Sequence, residues 1–324
     1  MMAVQLWQLL DLLLAGLTLG LGWAAVSGPD LRRSVVFFIA FGLLVAVVWA
    51  RLRAPDLALA EAAIGAGLSG ALLLSALRDE PDAETSDDVR GGPVAALVSL
   101  AGLALAAAFA WVMIHTLGAA DPVRLADQIT AQLPNSGVGN PVTAVLLNFR
   151  AYDTLLELAV LLAAVLGILA LGPARTPYRA AGPLLDGLIR WLVPLLILTA
   201  GYLLWAGAHA PGGAFQAGAM LAAAAVMLRL GGRTIAGLPR PPMQRILLTA
   251  GIAAFVLVGT ATTGLGLAFL QYPGGWSGGL ILLIETAATL AIATTLALAY
   301  IGGRPAGWVS EGSADTTTKI GGRD

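Results

Sequence analysis

The chain has 324 residues, of which 58% are hydrophobic and only 11% charged, with a net charge of −1. A soluble domain carries roughly 25% charged residues, so a soluble globular fold is excluded, and near-neutrality gives no sign of nucleic-acid binding. Cysteine is absent, which excludes disulfides, thiolate metal sites and cysteine nucleophiles; two histidines, His115 and His209, are too few for a metal site without carboxylate help. No metal and no cofactor are expected.

Apolar runs of roughly 20 residues mark membrane-spanning helices. In chain order nine are predicted, at about 4–26, 34–51, 56–77, 93–114, 150–171, 189–207, 213–230, 246–270 and 276–301. The expected fold is therefore all-α, a polytopic integral membrane protein of about nine transmembrane helices. The first run is no cleavable signal, since it lacks a basic start, contains Asp11 and is too long. Alternate loops hold fourteen basic residues on one side and four on the other. The positive-inside rule then predicts the N-terminus outside and the C-terminus cytoplasmic.

Three glutamates, Glu61, Glu157 and Glu285, lie inside predicted spans. A charge there costs roughly 2.5 kcal/mol or more, and such groups normally face a bundle interior or a water-filled path. At 1.5 Å per residue they sit roughly 9 to 14 Å below the outer helix ends. The third span reads PDLALAEAAIGAGLSGALLLSAL from Pro55. Pro55 suits a helix start and Asp56 the positive end of its dipole. Small residues at four-residue spacing allow close helix approach, and the glycines would tolerate a π-bulge. Packing alone explains the small residues, but it does not require Glu61.

Between 78 and 92 lies an acidic loop that reads as a solvated linker, and Asp121–Leu133 is amphipathic enough to lie along the membrane surface. The fifth span opens NPVTAVLLNFRAYDTLLE from Asn140, with Arg150, Asp153 and Glu157 at i, i+3 and i+7 on one helical face. Arg150 can pair with Asp153, leaving Glu157 without a local cation. An ion-pair ladder that fixes helix register is the plainer alternative. A proline-rich junction covers 171–186, and the connection after the sixth span reads HAPGGAFQAGAM from His209. Pro211 fixes φ there, and Gly212 and Gly213 permit positive φ. His209 can titrate near neutrality or simply hydrogen-bond. In the last span Glu285 is flanked by Thr286, Thr289, Thr294 and Thr295, whose hydroxyls can line a polar path or bond back to their own helix. Hydrolase signatures such as HExxH and GxSxG are missing, and no enzyme activity is expected.

Three of these segments resemble known modules. PDLALAEAAIGAGLSGALLLSAL (55–77) is similar to the signature of MbhD-type subunits and the C-terminal part of MrpA. NPVTAVLLNFRAYDTLLE (140–157) resembles the MbhE-type module, and GAHAPGGAFQAG (207–218) the MnhB/MrpB hallmark. Here Ala208 stands where that hallmark has its histidine, and Ala214 replaces one of its glycines. The resemblance implies four regions: an MbhD-like module at 1–92, an MbhE-like one at 93–173, an MnhB/MrpB-like one at 174–302 and a disordered tail at 303–324. It implies a subunit of a Mrp-type Na⁺/H⁺ antiporter, or of the membrane arm of an energy-converting hydrogenase, in a bacterial plasma membrane. The implied partners are antiporter-like subunits of MrpA/MrpD type, an MrpC-like subunit, small MrpE/F/G-like subunits and the lipid bilayer. Glu61 and Glu157 match glutamates placed on the ion path of that family, with Glu285 joining them here. Supporting positions are Asp56, Arg150, Asp153, His209, Pro211, Gly212, Gly213 and Gln216. No lysine lies in any span, so the chain is expected to supply part of a path and not to pump alone. A scaffold joining antiporter-like subunits, with no path of its own, is the alternative.

Overall fold

The computed structural model describes residues 2–28, 30–77, 93–117, 124–172, 182–232 and 238–303. The acidic loop, most of the proline-rich junction and nearly all of the C-terminal tail lie outside the described residues. Every regular element among those described is helical. The long helices are α1 (Met2–Ser27), α2 (Leu31–Arg51), α3 (Pro55–Ala76) and α4 (Pro93–Leu117). After the short surface helix α5 (Leu125–Gln132) and the single turn α6 (Pro141–Ala144) come α7 (Ala151–Ala170), α8 (Pro183–Ala206), α9 (Ala214–Leu230), α10 (Pro241–Gly264) and α11 (Ser277–Ile301).

Eight of these helices are long and apolar enough to cross a membrane. The chain is a multi-pass membrane protein. The span expected at 213–230 is the exception: α9 has only 17 residues, about 26 Å at 1.5 Å per residue. Its start is set by the Pro211-Gly212-Gly213 turn, where Gly213 adopts φ +111°.

Between apolar helices in lipid there is little hydrophobic drive, so close van der Waals packing must hold the bundle. Accordingly α9 lies between α8 and α11, and α10 and α7 close on α11. Phe255, Ile281, Ile284, Ala288 and Ile292 form the centre, each essentially sealed from the surface. Gly251 lets α10 approach so closely that a Cβ there would lie 3.0 Å from Leu158 Cδ1 and 3.2 Å from Ala288 Cα. The α1–α2–α3 group packs beside this bundle and reaches α9 through α3. Asp11 and Arg51 pair at 2.9 Å, with the Arg51 guanidinium 4.8 Å from the centre of the Trp7 ring, and so tie α1 to α2. By contrast, every side chain of α4 from Ala96 to Thr116 is exposed.

Two helices depart from α geometry. Within α3, Glu61–Leu68 is π-helical, wound with one extra residue per hydrogen-bonded turn. The fifth predicted span, 150–171, is found as the continuous helix α7, but the segment that leads into it from Asn140 is not one helix with it. Its first turn α6 passes into a π-helical turn, Val145–Phe149, and the helix breaks at Arg150, with φ −132° and ψ 39°. The Arg150 N–H bonds back to Val145 O at 2.8 Å, and the Thr154 hydroxyl donates to Leu146 O at 2.7 Å. These two bonds satisfy carbonyls that the break would otherwise orphan. Arg150 therefore flanks α7 and does not share its helical face.

Candidate functional site

The three motif segments meet at one end of the bundle. Asp56, in the first turn of α3, is 8% exposed, and its Oδ1 accepts from the Gly212 N–H at 3.1 Å and from Asn140 Nδ2 at 3.3 Å. The Asp56 carbonyl accepts from Gln216 Nε2 at 3.1 Å. Asn140 caps α6, its Oδ1 accepting from the Val142 N–H, and its Nδ2 also donates to Ala210 O at 2.9 Å. Thr143 donates to Gly207 O at 2.6 Å. Asp56 is thus more than a dipole partner for its own helix. It is a buried clasp joining the 55–77, 140–157 and 207–218 segments. Asn140 and Thr143 were missed by sequence reasoning. The capping signal N-P-V-T was visible, but their partners lie 84 and 64 residues away.

The turn entering α9 has no room for side chains. A Cβ at Gly207 would lie 2.6 Å from the Gly213 backbone, and Gly213 itself adopts φ +111°. This brings the first N–H groups of α9 to Glu285, the ninth residue of α11, about 12 Å along it at 1.5 Å per residue. The Ala214 N–H donates to the Glu285 carboxylate, which caps the helix from a neighbouring element. Glu285 is 2% exposed, and its Oε2 is buried without a hydrogen-bond partner. Of the threonines beside it, Thr286, Thr289 and Thr294 each bond back to the carbonyl four residues earlier.

Glu61 opens the π-helical stretch of α3 and is half-buried against α2. Its carboxylate lies over Gly65, where a Cβ would fall 2.6 Å from Glu61 Cδ and 2.9 Å from Oε2. Gly42 of α2 flanks the same space, its Cβ position 3.2 Å from Glu61 Oε1 and 3.0 Å from Ala66 Cβ. Two glycines on two helices therefore leave the volume that this carboxylate occupies.

Glu157 is placed differently. It is exposed on the lateral surface of α7, one turn beyond the Arg150–Asp153 pair, which closes at 2.7 Å as expected despite the helix break. The structure therefore does not bring the three glutamates into one cluster. Glu61 lies between α2 and α3, Glu157 on the side of α7, and Glu285 inside the α9–α11 packing. His209 is exposed on the turn beside Gly139 and takes no part in the clasp, whereas Pro211, Gly212, Gly213 and Gln216 all belong to that turn or its continuation. Nearby, Tyr272 donates to Leu147 O at 2.8 Å, and burial raises its phenol above the ordinary tyrosine range. Among the described residues no group of three His, Asp or Glu side chains is disposed to hold a metal ion.

Two family models match parts of the chain. The MbhD family, described as the D subunit of MBH, matches residues 16–82, and the family described as a domain related to the MnhB subunit of Na⁺/H⁺ antiporter matches 184–302. The chain is thus similar to the MbhD family in its first part and to the MnhB-related family in its last. The Glu61 helix and the Asp56 carboxylate fall in the part matched by MbhD, and the glycine turn and Glu285 in the part matched by the MnhB-related family. No curated protein matches the chain. The fold resembles a chain of the Mrp complex from Dietzia sp. DQ12-45-1b, with a TM-score of 0.72 and 23% identity over 90% of this chain and 34% of that one. It also resembles a chain of the membrane-bound sulfane sulfur reductase, an archaeal respiratory membrane complex, with a TM-score of 0.53 and 24% identity over 64% of this chain and 97% of that one. The present chain spans about a third of the Mrp-complex chain it matches.

Proposed function

We propose that this chain is a subunit of a multisubunit cation/proton antiporter of Mrp type, or of a related energy-coupled membrane complex, and that it contributes carboxylates to an ion path. In this reading Glu61, Glu157 and Glu285 are the exchanging groups, and Asp56, Arg150, Asp153 and Gln216 hold their surroundings. The chain sits in a bacterial plasma membrane, with the Asp56 end outside and the C-terminus in the cytoplasm. Residues 93–173 act as an MbhE-like module between the two matched domains. The partners are antiporter-like subunits and smaller membrane subunits of the same complex. The chain itself catalyses no covalent chemistry.

The observation that carries this reading is the exposure of Glu157 on the side of a membrane-spanning helix. A carboxylate facing hydrocarbon costs roughly 2.5 kcal/mol or more, so this face meets either a partner subunit or water held by one. Glu157→Gln in the assembled complex is the test. We expect the complex to form and cation/proton exchange to be lost.

A scaffold role is the second reading, favoured by the Asp56 clasp, which joins three segments through hydrogen bonds and needs no ion to do so. Normal exchange by an assembled Glu157→Gln complex would support it.

A further inference from the structure

Toward the end of the bundle away from the Asp56 clasp, α8, α9, α10 and α11 share a groove with a volume of about 230 Å³. Ala224 and Ala225 of α9 and Ala293 and Ala297 of α11 line it with small side chains, and Ile197 of α8 and Leu247 of α10 bound it. The one hydroxyl in the lining, on Thr294, bonds back to Leu290 O at 2.8 Å. The side chains of the groove therefore offer a guest no hydrogen bond, and the guest that suits them is hydrocarbon. On α11 the lining runs from Leu290 to Ala297, about 6 to 16 Å from the helix end at Ile301. Half of a hydrocarbon core about 30 Å thick is about 15 Å. The groove thus has the depth of the acyl layer of one leaflet.

Where the helices end, the groove meets a positive charge. A smaller recess shares Ala225, Leu238 and Ala297 with it and is lined also by Arg229 and Tyr300. Arg229, in the last turn of α9, is half-buried, and among the described residues it has no ion pair. On α8 the acid at this end, Asp186, is held by Arg190 at 2.8 Å. The last turns of α9 and α11 and the first turns of α10 carry no acid at all. Arg240 follows Pro239 of the lining and is exposed. An Arg guanidinium binds a phosphate through two N–H groups, and here it stands at the level where the helices leave the hydrocarbon. A partner's helix suits the space less well, since 10 Å of a helix 10 Å across fills roughly 800 Å³, several times the groove.

We propose that this groove is a binding site for one anionic phospholipid, with an acyl chain laid against the alanines of α9 and α11 and the headgroup phosphate on Arg229. The chain supplies the apolar surface that the small side chains leave open, and the phosphate supplies the anion that the neighbouring helices lack. None of the carboxylates assigned to the ion path takes part.

Native mass spectrometry of the delipidated complex, titrated with phosphatidylglycerol or phosphatidylcholine in one detergent, provides the test. Arg229→Gln should weaken the binding of one phosphatidylglycerol by about fivefold, the effect of a single basic residue at an anionic membrane surface, and change phosphatidylcholine binding less. Ala225→Leu combined with Ala293→Leu fills the groove and should remove one bound lipid of either kind. An Arg229→Gln complex that binds phosphatidylglycerol as the wild type does, or that loses both lipids alike, overturns the proposal. So does a groove-filled complex with unchanged lipid binding. If the filled variant does not assemble, a high-resolution map of the wild-type complex in phosphatidylglycerol nanodiscs decides. Chain-shaped density in the groove that reaches Arg229 supports the site, and an empty groove or a partner's helix seated there overturns it. Neither measurement reads antiport, so the lipid site and the ion path fail separately.

Discussion

Replacing Asp56 by alanine tests the clasp. Asp56 Oδ1 accepts from Gly212 N–H and Asn140 Nδ2, at 3.1 and 3.3 Å, in a place where the residue is 8% exposed. Hydrogen bonds to a charged group contribute about 1.5 to 3 kcal/mol each. Asn140 keeps its bond to Ala210 O, so the Gly212 N–H is the donor left without a partner. The expected loss for Asp56→Ala is therefore about 3 to 5 kcal/mol. At about 2 °C per kcal/mol for a chain of this size, the melting midpoint should fall by about 6 to 10 °C. Asp56→Asn retains an acceptor oxygen and should lose about half as much. Thermal unfolding of the detergent-purified complex, followed by tryptophan fluorescence, measures this. Because Asp56 and Asn140 share a bond, adding Asn140→Ala to Asp56→Ala should cost less than the sum of the singles. A melt of Asp56→Ala indistinguishable from wild type, or strict additivity with Asn140→Ala, would refute the clasp.

Gly65→Ala should displace the Glu61 carboxylate, because the new methyl takes the space that carboxylate occupies; exchange activity should drop while the complex still assembles, and unchanged activity would show that Glu61 does not act from this position. Thr154→Val removes the hydroxyl that satisfies Leu146 O beside the Arg150 break, and unfolding should show a loss of about 1 to 3 kcal/mol for the orphaned carbonyl. The Arg150–Asp153 pair is largely solvated in the isolated chain, so a double-mutant cycle there should give no more than about 1 kcal/mol. Tyr272 contributes a pH-dependent term: burial raises its folded value, so its contribution is fully present below the ordinary tyrosine range and is lost as pH rises above it, and Tyr272→Phe should flatten the alkaline stability profile.

Most of the helices were legible because a bilayer demands runs of about 20 apolar residues, and such runs need no alignment to be seen. The π-helical stretch at Glu61 was half visible, since glycine-rich segments tolerate that winding. The break at Arg150 was not, because N-F-R-A-Y-D contains neither proline nor glycine; the bonds that permit it come from Thr154 and the Arg150 backbone. Asp56 read as a dipole partner because its real partners, Asn140 and Gly212, lie 84 and 156 residues away. Nor could the pattern tell which way Glu157 faces. In lipid both faces of a helix are apolar, so periodicity carries little information about the bundle side. For the same reason the sequence did not separate Glu285, sealed in the packing, from Glu157, on its surface. The short α9 was read as a full span because 213–230 is one apolar run, although its helix has only 17 residues.

The most direct test of the ion-path proposal is Na⁺-driven proton movement in proteoliposomes holding the complete complex, compared between wild type and Glu61→Gln at equal assembly. The ion-path reading predicts exchange in the wild type and none in the variant, because the amide keeps the shape of Glu61 and cannot carry its proton or charge. Exchange at the wild-type rate by an assembled Glu61→Gln complex would contradict it and leave the chain a scaffold.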